Sequence, residues 1–154
     1  MKGLGDLLQE FFARGVIVVF RPMHFWAGLL CNVKNHWFCF INSKNPLENQ
    51  RWTLAHELGH FVLHKEEGGH LFTDGIFCGT EEDAEWQANC FAAEILMPPE
   101  AIEAIIPYYF TAQDKVNHVA MEFKVPVKMA AWWLFELGYI NKKCYSHLQK
   151  LVSN

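Results

Sequence analysis

The most constraining feature of this chain is His56-Glu57-Leu58-Gly59-His60, set within the stretch from Arg51 to His64. Residues four apart on an α-helix differ by about 40° in azimuth and ~6 Å in height. His56 and His60 therefore share one face, one turn apart, and their imidazoles can reach a single metal ion at roughly 2.0–2.1 Å. Glu57 sits beside the first histidine toward the open side of such a site, where a carboxylate takes a proton from an activated water rather than ligating. Leu54, Ala55, Leu58, Phe61 and Val62 supply apolar surface for a buried helix, and Gly59 lets a neighbour pack closely. With eight histidines in the chain, the bare pattern could arise by chance, so the argument needs a third ligand.

A second helix supplies one. It is expected from Thr80 to Met97, with Thr80 as N-cap, Asp83 completing a near capping box, acids in the first turn, and Pro98-Pro99 as the stop. Glu85 and Asn89 share a face of it. Glu85 can close a His2Glu ligand set with the fourth position left to water. Asn89 can accept a hydrogen bond from the outer ring nitrogen of a ligand histidine and orient it. Taken alone, Glu85 would read as a solvated acid; beside the histidine pair it reads as a ligand.

Thr53-Leu54-Ala55-His56-Glu57-Leu58-Gly59-His60, then Leu63-His64, then Ala88-Asn89, Phe91-Ala92-Ala93-Glu94 and Leu96-Met97-Pro98 resemble the ImmA/IrrE family of zinc metallopeptidases. The likeness is densest from Arg51 to Pro99. It implies a gluzincin-like site in which His56, His60 and Glu85 hold Zn2+ and Glu57 is the catalytic base. Gln87 departs from the family, where many members carry a second acid; that position is not a ligand. The resemblance further implies cleavage, or triggered loss, of a helix-turn-helix transcriptional repressor in a prophage or mobile element. Some members carry a fused N-terminal DNA-binding domain; a chain of this length leaves no room for one, so a separate partner is expected.

The 154 residues fit one domain with a real core. The expected organisation is a single metallopeptidase domain over 1–154: an N-terminal helix and sheet over 1–50, zinc-site helices over 51–99, and C-terminal helices over 100–154. The fold class is α+β, a small antiparallel sheet packed on a helical zincin-like core. A net charge of −4 argues against non-specific binding to nucleic acid or anionic membrane. No apolar run is long enough to span a bilayer, and the N-terminus has no cleavable signal pattern, so a cytoplasmic protein is expected. Five cysteines without a Cys-x-x-Cys imply neither a disulfide framework nor a zinc knuckle.

Leu4, Leu7, Leu8, Phe11 and Phe12 predict an amphipathic helix over about 4–14, stopped by Gly15. Val16 to Phe20 predicts a buried strand. Phe25 to Cys31 and Trp37 to Ile41 predict two more, joined by a turn over Asn32–His36; the resemblance to zincin-like peptidases implies a strand whose edge lies along the cleft, and Trp37 to Ile41 is the candidate for it. His70 to Gly79 reads as a loop. Short helices are expected over 100–106, from Thr111 to Phe123 with Asp114 completing a capping box, and from Val127 to Leu137, closed by Gly138. The last two superficially resemble a DNA-reading pair, but their sparse basic residues argue against that role. His64 extends the histidine face by a further turn and could line the cleft or support a ligand. His24, His36, His70, His118 and His147 lack metal spacing. Tyr108, Tyr109, His118 and Tyr139 are candidates for stabilising an oxyanion.

The expected function is thus zinc-dependent endopeptidase action on a protein partner. The alternative is a non-catalytic antirepressor or toxin-like binder with a structural zinc, for which an acid at Glu57 has no use.

Overall fold

A computed structural model describes residues 2–65, 71–73, 84–106 and 110–152. The elements run α1 (Leu4–Ala13), β1 (Val16–Arg21), β2 (Gly28–Val33), β3 (His36–Asn42), α2 (Leu47–His64), β4 (Leu71–Thr73), α3 (Ala84–Leu96), α4 (Pro99–Ile105), α5 (Ala112–Phe123), α6 (Val127–Glu136) and α7 (Lys142–Val152). This is the expected α+β class. Among the described residues, no helix is long and apolar enough to cross a membrane. The residues cluster into two compact units, one from Lys2 to Ile95 and one from Leu96 onward.

In the first unit, the N–H of Gly3 donates to Asp6 Oδ2 at 2.8 Å to start α1. Leu7 and Phe11 are fully buried, whereas Phe12 is exposed, so the apolar stripe is narrower than its sequence suggests. Gly15 ends the helix at φ +71°, a conformation that costs glycine little. The β2–β3 hairpin closes through Lys34 and Asn35, both at positive φ (50° and 65°), which gives the turn the twist that antiparallel strands need. Asn32 Oδ1 accepts from the Asn35 N–H at 3.1 Å and steadies it.

The sheet differs from the expected antiparallel one. Its order is β1-β3-β2-β4. β2 pairs antiparallel with β3 and β4, but β1 pairs parallel with β3, Val16 opposite Trp37. The chain reverses between β1 and β2 and again at the hairpin, so β1 and β3 run the same way, and β1 settles on the far side of β3. Buried Asn42 organises the link between β1 and β2. Its Oδ1 accepts from the Met23 N–H at 3.0 Å, and its Nδ2 donates to the carbonyls of Met23 (3.1 Å) and Trp26 (3.0 Å). Two expectations fall with this order. β3 is internal, so Trp37 to Ile41 is not an edge; the edges are β1 and β4. And β1 is half-exposed, with Ile17 and Phe20 reaching solvent.

The motif helix α2 starts at Leu47, earlier than the motif, and every residue from Gln50 to Phe61 is buried. The Arg51 guanidinium donates twice to the Lys2 carbonyl, at 3.0 and 2.7 Å, anchoring the helix to the start of the chain. A Cβ added at Gly59 would lie 3.0 Å from Ala88 Cα and 3.1 Å from Ala88 O. α3 therefore crosses α2 backbone to backbone at Gly59, the close approach that a glycine there allows. The segment read as a loop after α2 contains β4, whose Leu71 pairs with Cys31. The proposed cap at Thr80 and Asp83 lies outside the described residues.

In the second unit, Thr111 and Asp114 form the expected capping box: the Asp114 N–H donates to Thr111 Oγ1, and the Thr111 N–H to Asp114 Oδ2, each at 3.2 Å. α5 and α6 pack through Val116, Val119 and Phe123 and the buried run Ala130–Leu134. The Trp133 indole N–H donates to the Met97 carbonyl at 3.0 Å. α7, stacked on α6 by Phe135 and Tyr145 at 4.8 Å between ring centroids, has no counterpart in the element-by-element expectations.

Candidate metal centre

α2 and α3 bring three of the expected residues to one point. Ligand atoms of His56, His60 and Glu85 all lie within 4.8 Å of one another. The two Nε2 atoms are 3.0 Å apart; Glu85 Oε2 is 3.3 Å from His56 Nε2, and Glu85 Oε1 is 3.1 Å from His60 Nε2. Both histidines are buried and Glu85 partly so. Among the described residues no other group of three metal-binding side chains converges in this way.

The tautomers bear on what can sit there. Asn89 Oδ1 lies 3.0 Å from His56 Nδ1 and accepts its proton, which leaves the Nε2 lone pair of a neutral ring facing Glu85 and His60. Burial disfavours a charged Glu85, but when the rings of His56 and His60 also carry a proton on Nε2, their hydrogen bonds and positive charge outweigh it and hold the carboxyl well below its usual range. Burial is also the main influence on His60, pushing its imidazole below the ordinary histidine value. Lone pairs of a neutral imidazole and a carboxylate at ~3 Å repel unless a cation lies between them. A tetrahedron with bonds of about 2.0–2.1 Å has edges of roughly 3.3–3.4 Å, close to the three separations observed. The donor set therefore fits a small divalent metal with nitrogen and oxygen preference.

Glu57 is fully buried. Packed against it is Gly28 of β2, where an added Cβ would overlap Thr53 Cγ2 and come within 2.6 Å of Glu57 Oε1. Burial pushes the Cys31 thiol up, and the negative charge of Glu57 adds to that. The sequence pattern marks Gly28 only as part of a strand. A glycine inside a strand pattern is itself a sign of close approach, but nothing in the sequence says what approaches.

His64, also buried, lies with its Nδ1 3.2 Å from His60 Nδ1, and its Nε2 lies 2.9 Å from Gln87 Oε1. The oxyanion candidates divide. Tyr108 and Tyr109 lie outside the described residues. His118 packs edge-on against Phe110 at 5.6 Å between ring centroids, and the Tyr139 carbonyl accepts from Lys115 Nζ at 3.2 Å.

Two helices presenting a buried histidine pair, a converging glutamate and an adjacent buried acid define a centre of the metallopeptidase class, a hydrolase. Residues 13–134 match the peptidase family described as the IrrE N-terminal-like domain; the chain belongs to that family. It is 28% identical over 124 residues to metallopeptidase ImmA of Bacillus subtilis, a match covering 78% of this chain and 69% of that protein. It is 29% identical over 124 residues to the radiation response metalloprotease IrrE of Deinococcus radiodurans, covering 79% of this chain but 37% of that protein.

Proposed function

We propose that this chain is a zinc-dependent endopeptidase acting, as a single metallopeptidase domain in the cytoplasm, on a protein partner. The convergence of His56, His60 and Glu85 beside buried Glu57 carries the reading. His56, His60 and Glu85 hold zinc, and Asn89 fixes the orientation of His56. When bound, zinc supplies Lewis-acid chemistry, polarising a carbonyl oxygen and lowering the pKa of water toward about 7. Glu57 takes the proton of the attacking water at its carboxylate and returns it to the leaving amine.

The substrate we assign is a helix-turn-helix transcriptional repressor of a prophage or mobile element; its support is the resemblance of the two helix motifs to the ImmA/IrrE family. The experiment is co-expression with a repressor encoded beside the gene. Removing a general base costs roughly 10²–10⁴ in rate. Wild type yields defined repressor fragments, whereas Glu57→Gln retains zinc and leaves the repressor whole. Relief of repression by both proteins without fragments would overturn the peptidase reading in favour of a binder with structural zinc.

A further inference from the structure

From the hydrogen-bond path behind the site, we infer that His64 and Gln87 are positioning residues for His60, forming a relay that commits its Nδ1 proton outward. The inference rests on the metal-centre reading above for its consequence, though not for its geometry. Gln87 Oε1 is an acceptor, so at 2.9 Å it takes the Nε2 proton of His64. A neutral His64 then carries a lone pair on Nδ1. That atom lies 3.2 Å from His60 Nδ1, and two lone pairs cannot face each other there, so His60 Nδ1 is the donor. The proton of His60 is thus held away from the centre, and its Nε2 is left to ligate. This is the tautomer opposite to the one a neutral histidine side chain favours in water, so something in the fold must select it.

The two ligand histidines are therefore set by different means. His56 uses one amide, that of Asn89, from the third helix. His60 uses an imidazole one turn further along its own helix, and that imidazole is set by Gln87 of the third helix. All the ring atoms in the relay are buried with their residues, since His60 and His64 are 0% and 1% exposed, so water does not readily substitute. An acid at position 87 would serve the same acceptor role, and an apolar side chain would not.

The test uses the full chain labelled with ¹⁵N at histidine. In the metal-free protein, a ¹⁵N–¹⁵N coupling through the hydrogen bond between His60 Nδ1 and His64 Nδ1 is expected in wild type and in Gln87→Glu. In Gln87→Leu it should weaken or vanish, and zinc affinity, measured by chelator competition, should fall roughly 10–100-fold. Gln87→Glu should keep wild-type affinity or exceed it. A His60 ring in metal-free wild type with no proton on Nδ1 overturns the relay, as does a Gln87→Leu protein with unchanged coupling and affinity. If Gln87→Leu fails to fold, the wild-type coupling and the Gln87→Glu titration still decide. Failure of the metal reading looks different: wild type then binds no zinc while the coupling persists.

Discussion

Gly59→Ala sets two effects of known size against each other at the crossing of α2 and α3. Alanine in a helix interior is favoured over glycine by about 0.8–1.0 kcal/mol. Against that, the new Cβ meets Ala88 Cα at 3.0 Å, Ala88 O at 3.1 Å and Phe91 Cβ at 3.2 Å. Two of these are backbone atoms, which cannot rotate away, so the helices must separate by about 0.4 Å to restore ordinary contact. Overpacking of this kind costs ~1–3 kcal/mol. The net expectation is a loss of about 0–2 kcal/mol, a fall in Tm of roughly 0–8 °C for a chain of this size. The sharper consequence lies at the centre, because Ala88 sits on α3 between Glu85 and Asn89. Metal–ligand distances tolerate only about ±0.2 Å, so zinc affinity should drop by roughly tenfold or more. Thermal unfolding of the metal-free protein and zinc competition titration read the two quantities separately. Stabilisation by about 1 kcal/mol with unchanged zinc affinity would refute the reasoning, since α3 would then not be positioned by this contact.

Gly28→Ala should cost about 1–3 kcal/mol, because the added Cβ overlaps the stiff β-branched Thr53 and crowds Glu57; peptidase rate should fall while zinc affinity stays near wild type, and an unaffected rate would remove Gly28 from the support of Glu57. Asn89→Ala should weaken zinc binding roughly 10–100-fold with the fold intact, and a neutral result in a chelator competition would mean that Asn89 does not orient His56. The metal-free protein should lose stability as pH falls. His60 and Glu85 are both held below their ordinary values of 6.5 and 4.5, so the unfolded chain binds more protons and the native state is penalised first below about 6.5 and further below about 4.5. A Tm that is flat or rises between pH 7.5 and 5.5 would contradict the first of these shifts.

The convergence of the candidate residues was legible because it follows local periodicity: four-residue spacing puts His56 with His60, and Glu85 with Asn89, whatever the tertiary context. The Thr111 cap and the Gly138 stop were legible for the same reason; Gly138 has φ +78°. What escaped depends on pairing across the chain. Nothing local tells β1 to lie beside β3 rather than β2, so the parallel pair and the internal place of β3 were not foreseen. The three-residue β4 is too short to show a period, and its strand character comes from pairing with β2. α2 is buried from Gln50 to Phe61, so no amphipathic pattern marks that stretch. Gln87 shows no metal spacing in the sequence, and its contact with His64 arises only once α2 and α3 pack.

On the proposed metal reading, the division of the candidate ligands between two helices also sets an order of events while the chain is being made. His56 and His60 lie on α2, and Glu85 on α3, with β4 between them. At about 5–20 residues per second, the stretch from His60 to Glu85 takes on the order of seconds to synthesise. Throughout that interval the emerging chain offers a histidine pair without its carboxylate, a weak and undiscriminating chelator. Selection of the right ion is thereby deferred until the third helix has left the ribosome and closed against Gly59, when the donor set and its packing are completed together.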